Sequence, residues 1–254
     1  PDIIHISGNV YAIAYRGPDD DGWLKTVTIS DDGLTLALTG SSLEFDPENG
    51  DDPDIIHISG NVYAIAYRGP DYDGWLKTVT ISDDGATLAL TGSSLEFDPE
   101  NGDDPDIIHI AGNVYAIAYR GPDTDGWLKT VSIADDGTIG TVIGTLEFDP
   151  EWGIAPDIIY ISGNVYAIAY NGPVNDGWLK TVSIADDGLT LTLTGGSLEF
   201  DPRAGLRPKI IHIAGNIYAI AYRDYAIHGW LKTVAIVTSE VLRNKAYALS
   251  REEL

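Results

Sequence analysis

Fifteen residues, Pro1 to Tyr15 (PDIIHISGNVYAIAY), return almost unaltered at Pro53, Pro105, Pro156 and Pro208, and no other feature restricts the fold as strongly. The intervals are 52, 52, 51 and 52 residues, and the first two units differ only at Asp20/Tyr72 and Leu34/Ala86. A period of this kind marks a solenoid, a propeller or an array, in which each unit buries its apolar surface against its neighbours.

Each unit has the signals of four short strands. Asp2 to Ser7 carries branched apolar residues at Ile3, Ile4 and Ile6 and is too short for a helix. Ser7-Gly8-Asn9 is a tight turn, and Val10 to Arg16 then alternates Tyr11, Ile13 and Tyr15 against Val10, Ala12 and Ala14, so the second strand is apolar on both faces. The segment from Gly17 to Gly22 is a loop by its Gly, Pro and Asp content; Trp23 to Ser30 resumes strand character and ends at the hairpin signal Asp31-Asp32-Gly33. The fourth strand lies between Leu34 and Asp46 with a bulge or bend at Thr39-Gly40-Ser41, and Pro47 to Asp52 is a surface link.

Four antiparallel strands, repeated five times and apolar on both faces, predict an all-β fold, a five-bladed β-propeller of four-stranded antiparallel blades. One propeller is expected over 1-254, with blades at about 1-52, 53-104, 105-155, 156-207 and 208-254. Connections of the second to third strand and of the fourth to the next first strand then share one face. The last unit departs after Ile236: Ser239 could cap a helix bearing Leu242, Ala246 and Leu249, or 245 to 250 could replace the outer strand.

The formal charge of −24 argues against nucleic acid and anionic membrane surfaces, and suits cations or basic partners. By repeat it runs −9, −8, −6, −3 and +2, so the basic tail is expected to face the acidic first blade. Without Cys there is no disulfide framework, thiolate metal site or cysteine nucleophile. No apolar run approaches the roughly 20 residues of a membrane span, and the sequence opens on a repeat without a charged n-region and apolar h-region. Membrane insertion is therefore not expected; a monomer, extracellular or on a cell surface, is.

Three sets of residues could carry chemistry. Asp2, Asp54, Asp106 and Asp157, with Lys209 in the fifth place, start the innermost strands; they could hold Ca²⁺ through oxygen ligands or bond nearby backbone N–H groups. His5, His57, His109 and His212, with Tyr160 in the fourth unit, are expected to be hydrogen-bonded and packed between blades rather than metal ligands. In the loop before the third strand, Arg16, Asp19, Asp21 and Trp23 recur as Arg68, Asp71, Asp73 and Trp75 and as Arg120, Asp123, Asp125 and Trp127. Trp178 and Trp230 persist in the later copies, beside Asn171, Val174 and Asp176 and beside Arg223, Ile227 and His228. An aromatic ring flanked by polar groups is a means of binding sugar, and a Trp wedge between blades is the structural alternative. Asp19-x-Asp21-Gly22 is also half of a Ca²⁺ loop, without the remaining ligands.

Tyr15-x-Gly17-Pro18, followed by Asp21-Gly22-Trp23-Leu24 and Ile29, resembles the repeat of the five-bladed tachylectins over less than half of each unit. That resemblance implies one N-acetyl-sugar site per blade, between adjacent blades. Asp31-Asp32-Gly33-Leu34-Thr35 resembles part of the sialidase Asp-box, a structural turn, with Ile29 where that box has Ser and Leu36 where it has Trp. The resulting expectation is a non-catalytic, multivalent, lectin-like glycan-binding module that needs no cofactor, with Ca²⁺ the candidate ion. The alternatives are a structural or display propeller amplified from one blade, naturally or by engineering, and a glycoside hydrolase, for which the near-identical blades offer no differently tuned acid and base.

Overall fold

The computed structural model describes residues 1–237 and 247–248. The fold is an all-β five-bladed propeller. Blade one consists of β1 (Asp2–Ser7), β2 (Val10–Arg16), β3 (Gly22–Ile29) and β4 (Leu36–Asp46); blade two of β5 (Asp51–Ser59), β6 (Val62–Arg68), β7 (Gly74–Ile81) and β8 (Leu88–Asp98). Blade three comprises β9 (Asp103–Ala111), β10 (Val114–Arg120), β11 (Gly126–Ile133) and β12 (Ile139–Asp149). Blade four follows as β13 (Ile154–Ser162), β14 (Val165–Asn171), β15 (Gly177–Ile184) and β16 (Leu191–Asp201). Blade five has three long strands, β17 (Leu206–Ala214), β18 (Ile217–Arg223) and β19 (Gly229–Ala235), with the two-residue β20 (Tyr247–Ala248) beside β19. The helix considered for the segment from Ser239 lies outside the described residues.

The turns form for the reasons visible in their residues. Gly8 turns β1 into β2 at φ 53° and Gly33 closes the β3–β4 turn at φ 68°, a region glycine enters without steric cost. Asp32 braces that second turn, accepting the Ser30 hydroxyl at 2.6 Å and the Leu34 amide at 3.0 Å. In β4, Ser42 pairs with Lys25 but Leu38 pairs with Val27, leaving Thr39-Gly40-Ser41 opposite Thr26 as the expected bulge.

The link between blades is shorter than the sequence suggested. Asp51 pairs with Arg68 inside β5, Asp52 bulges at φ 45°, and Pro53 sits at this irregularity, where its missing N–H breaks no ladder bond. Asp51 and Asp103 are buried, so this end of the presumed surface link belongs to the sheet.

The chain divides into two compact units, Pro1–Ile117 with Val131–Ile143, and Ala118–Thr130 with Gly144–Leu254. Both are built on the same packing grammar. In the first, the small face of blade one (Ala12, Ala14, Leu24) and Phe45 receive the large face of blade two (Ile55, Tyr63, Ile65, Tyr67). In the second, Ala167, Ala169, Leu179 and Phe200 receive Ile210, Tyr218, Ile220 and Tyr222. Small against large fills the space between sheets without voids. The β7–β8 turn also tucks into blade one, where the Gly85 carbonyl accepts the Thr26 hydroxyl at 2.7 Å.

A carboxylate, buried at Asp46 and Asp149 and half-buried at Asp201, locks such interfaces. Asp149, at the end of β12, accepts Lys180 Nζ at 2.8 Å, the Tyr170 hydroxyl at 2.6 Å and the amides of Glu151 and Trp152 at 3.0 and 3.1 Å. Burial by itself raises the Asp149 carboxyl, but the ammonium, the hydroxyl and the amides outweigh it and hold the group below the usual carboxylate range. Asp46 and Asp201 repeat the arrangement with Lys77 and Tyr67 and with Lys232 and Tyr222. Removing the carboxylate strands an ammonium, a phenol and two amides together. Asp149→Ala is therefore expected to cost about 3–5 kcal/mol, and Lys180→Met less, because the carboxylate keeps three donors; urea denaturation of the two variants measures the order.

Candidate functional site

The β2–β3 loop and the β4–β5 link meet at one rim of each blade, as expected. The loop is a short 3-10 turn, Pro18–Asp20, and the Asp20 carbonyl accepts the Gly50 amide at 2.8 Å. The same bond recurs as Gly102 to Tyr72, Gly153 to Thr124 and Gly205 to Asn175, each at 2.9 Å. Asp19, Asp71 and Asp123 occupy the left-handed region at φ 59°, 57° and 58°, and so does the exposed Val174 at φ 54°. A β-branched residue in that region is strained, so the loop's own bonds impose this conformation.

Arg16 is joined neither to Asp19 nor to Asp21. Its Nε meets Asp20 Oδ1 and Asp51 Oδ1, each at 2.8 Å. Asp51 also binds Arg68, whose other terminal nitrogen reaches Asp103 at 2.8 Å. A chain of alternating charge thus crosses the rim of the first three blades. Blade four abandons it in a coordinated way: Ile154 stands where Asp51 and Asp103 stand, and Asn171 replaces the Arg and donates to Asn175 at 3.2 Å.

The repeated tryptophans are half-buried, with Trp23 opposite Tyr15, Trp75 opposite Tyr67, Trp178 opposite Tyr170 and Trp230 opposite Tyr222. Trp23, Trp75, Trp127 and Trp178 lie so close beneath Gly17, Gly69, Gly121 and Gly172 that a Cβ there would collide with the indole. Trp75 and Trp230 pack against the inter-blade cores, as wedges do. The indole nitrogens of Trp23, Trp75, Trp127 and Trp178 are shielded without a hydrogen-bond partner. Trp230 differs, since its Nε1 donates to Asp224 Oδ2 at 3.1 Å. Asp224 also takes the His228 amide at 2.9 Å, which with these side chains pulls its carboxyl down to about 2.

Asp21 has a partner that sequence reasoning missed. Glu44 lies opposite Trp23 on β4, and desolvation with the Asp21 charge and hydrogen bond raises its carboxyl. Glu147 beside Asp125 and Glu199 beside Asp176 are raised in the same way. In blade two it is Asp73 that rises, to about 6, through desolvation and its hydrogen bond with Glu96. The repeated Leu-Glu-Phe-Asp was the available signal, but only the β3–β4 register reveals which face its Glu shares.

The leading Asp residues act as clamps between blades. Asp2 accepts the Ile55 amide at 3.2 Å, Asp54 the Ile107 amide at 2.8 Å and Asp157 the Ile210 amide at 2.6 Å. Asp157 also takes Lys209 Nζ at 2.6 Å. Among the described residues no three His, Cys, Asp or Glu side chains are grouped to hold a metal ion. The histidines are hydrogen-bonded as expected but are exposed rather than packed between blades. The tight turn places the Gly8 carbonyl 2.8 Å from His5 Nε2, and the ring lies edge-on to Tyr11 at 5.1 Å, so the bond is local.

Two clefts open at the rim, each within one compact unit. The first, about 340 Å³, lies between blades one and two and is lined by Arg16, Asp20, Asp51, Arg68, Asp71 and Tyr72 among others. Tyr72 is exposed, with the Arg68 guanidinium 5.2 Å from its ring centre. The second, also about 340 Å³, lies between blades four and five and is lined by Asp201, Arg203, Asp224, Trp230 and Lys232 among others. Both hold an aromatic ring, carboxylates and cations in one concavity.

No protein-family model and no curated protein matches the sequence. Solved structures match the fold. The periplasmic gluconolactonase of Pseudomonas aeruginosa aligns with a TM-score of 0.69 at 12% identity, over 97% of this chain and 69% of its own. A variant of NanB sialidase from Streptococcus pneumoniae aligns at 0.59 and 13%, over 80% of this chain and 33% of its own. Sqt1 from Chaetomium thermophilum aligns at 0.57 and 14%, over 93% of this chain and 55% of its own. Identities this low show the propeller fold alone.

The carboxyl shifts oppose one another in pH. Asp46, Asp149 and Asp201 are depressed, so their contribution is present above the ordinary carboxylate value of 3.8 and is lost as pH falls through their lowered values. Asp73 is raised, so its contribution is present below 3.8 and is lost as pH rises through about 6. Thermal stability is expected to peak near the ordinary carboxylate value of 3.8, to decline as pH rises from there to about 6, and to level off above it. Glu96→Gln should flatten the decline and leave the acid limb unchanged; melting curves across pH read both.

Proposed function

We propose that this chain is a non-catalytic, multivalent binding module whose rim clefts take carbohydrate. The observation that carries the reading is the pair of clefts between neighbouring blades, each combining an aromatic ring with carboxylates and cations. Sugar C–H groups pack on an aromatic face while charged side chains bond the hydroxyls. Tyr72 and Trp230 are the rings, with Asp20, Asp71 and Arg68 around the first and Asp224 and Arg203 around the second. The indoles of Trp23, Trp75, Trp127 and Trp178 support the rim from below their glycines rather than receive ligand. Several weak sites on one molecule raise avidity by about 10²–10⁴ where geometry allows simultaneous binding.

Titration calorimetry against neutral and N-acetylated sugars tests the proposal. Tyr72→Ala and Trp230→Ala are each expected to remove one class of site and weaken sugar binding by about tenfold or more, as loss of a stacked ring does. Absence of binding to any sugar, with or without Ca²⁺, would sink it and leave a structural or display propeller.

A second reading has one specific observation behind it. Asp73 beside Glu96 is a carboxyl pair in which one member is held up to about 6, the condition a general acid requires. The neighbouring folds named lactonase and sialidase make hydrolysis a fair alternative. Turnover of chromogenic glycosides or a lactone, lost in Asp73→Asn, would replace the binding proposal with it.

A further inference from the structure

The first blade presents a docking face that none of the described residues covers as the later blades are covered. Its large face is the one that in later blades is buried: Ile3 is 53% exposed, against 5% for Ile55, 6% for Ile107 and 4% for Ile210. Tyr15 is half-buried, whereas Tyr67 and Tyr170 are fully buried.

The polar groups on this face are unmet in the same pattern. Lys77, Lys180 and Lys232 donate to the carbonyls of Phe45, Phe148 and Phe200 at 2.9, 2.9 and 2.7 Å and to the adjoining carboxylates at 2.8 Å. Lys25, their counterpart, meets neither a carbonyl nor a carboxylate among the described residues, and its nitrogen lies 5.8 Å from the Tyr15 ring centre. Tyr15 likewise lacks the carboxylate that Tyr67, Tyr170 and Tyr222 each bind. No Asp meets the Ile3 amide as Asp2, Asp54 and Asp157 meet those of Ile55, Ile107 and Ile210. The Gly33 turn stands in open space, while the carbonyls of Gly85 and Gly137 accept the hydroxyls of Thr26 and Thr78. Four separate contacts therefore await the same object: a leading Asp, a Thr at the bulge, and a Phe-Asp strand end, as in residues 1–52.

The fifth repeat cannot supply that set. Lys209 replaces its leading Asp, and no Leu-Glu-Phe-Asp follows Ile236 in the sequence. A second copy of the chain is poorly suited too, because Asp46, Asp149 and Asp201 are already engaged by Lys77, Lys180 and Lys232. The geometry points to this face as a docking surface for a partner whose docking element is one further copy of the repeat, its Phe carbonyl and Asp carboxylate closing on Lys25 and Tyr15. The internal interfaces give the pose, since Ala12, Ala14, Leu24 and Phe45 of such a copy would cover Ile3, Ile13 and Tyr15 as their counterparts do within the chain.

The test is the full chain with one additional copy of residues 1–52 fused ahead of Pro1. Docking is expected to raise the melting temperature by on the order of 5 °C and to slow exchange of the Ile3 amide by about tenfold or more. Lys25→Met should lower the melting temperature of the extended protein and leave the unextended protein within about 1 °C. Unchanged melting and unchanged Ile3 exchange on extension would overturn the proposal, as would a Lys25→Met effect of equal size in both proteins. A concentration-dependent dimer of the unextended chain that Lys25→Met abolishes, seen by sedimentation, would assign the face to a second copy and overturn it equally.

Discussion

The structure depends on the unequal faces of each blade and the carboxylate that joins them. A sheet with alanines on one side and tyrosines on the other cannot bury both faces alone, so stacking is the condition of folding. Apolar contact leaves sliding inexpensive; Asp46, Asp149 and Asp201 remove that freedom, because each must find one Lys, one Tyr and two amides together. The lysine ammonium also lies over the tyrosine ring, 5.7 Å from its centre for Lys77 and Lys180, so the aromatic packing and the ion pair specify the same register.

Much of this fold was legible in the sequence because repetition makes weak signals add. The turn at Gly8, the brace at Asp32 and the bulge around Gly40 were each readable, since each follows from a residue's local conformational preference. Contacts between blades were not. Asp2 reads as the start of a strand, and nothing near it in sequence announces that its acceptor role is toward Ile55. His5 reads as a core residue because its strand is apolar, yet the turn carbonyl three residues on captures it at the surface. At the candidate site the loop residues were identified but not their partners. Proximity in sequence groups Arg16 with Asp19, whereas its carboxylate partners are Asp20 and the buried Asp51 of the following strand.

The acidic character of the chain has two physical components. Asp46, Asp149 and Asp201 stabilise the ionised form through buried donors, so their charge is part of the frame. The pairs at the rim, such as Asp73 with Glu96, sit where desolvation and like charge oppose ionisation. They weaken the folded state at neutral pH.

The blades differ where the frame allows it. Position 20 of the first unit becomes Tyr72, Thr124 and Asn175, and its backbone stays left-handed throughout, at φ 71°, 72°, 73° and 67°. Its carbonyl is held by the glycine amide of the following link, so conformation there does not depend on the side chain. That glycine packs against Gly22 or its equivalent, where a Cβ would collide with backbone. The frame thus fixes where the side chain projects and leaves its chemistry open. A carboxylate, a phenol, a hydroxyl and an amide occupy one geometry in four blades. Variation concentrated there alters the chemistry of the rim, at Asp20 and Tyr72 inside a cleft, while leaving the blade unchanged.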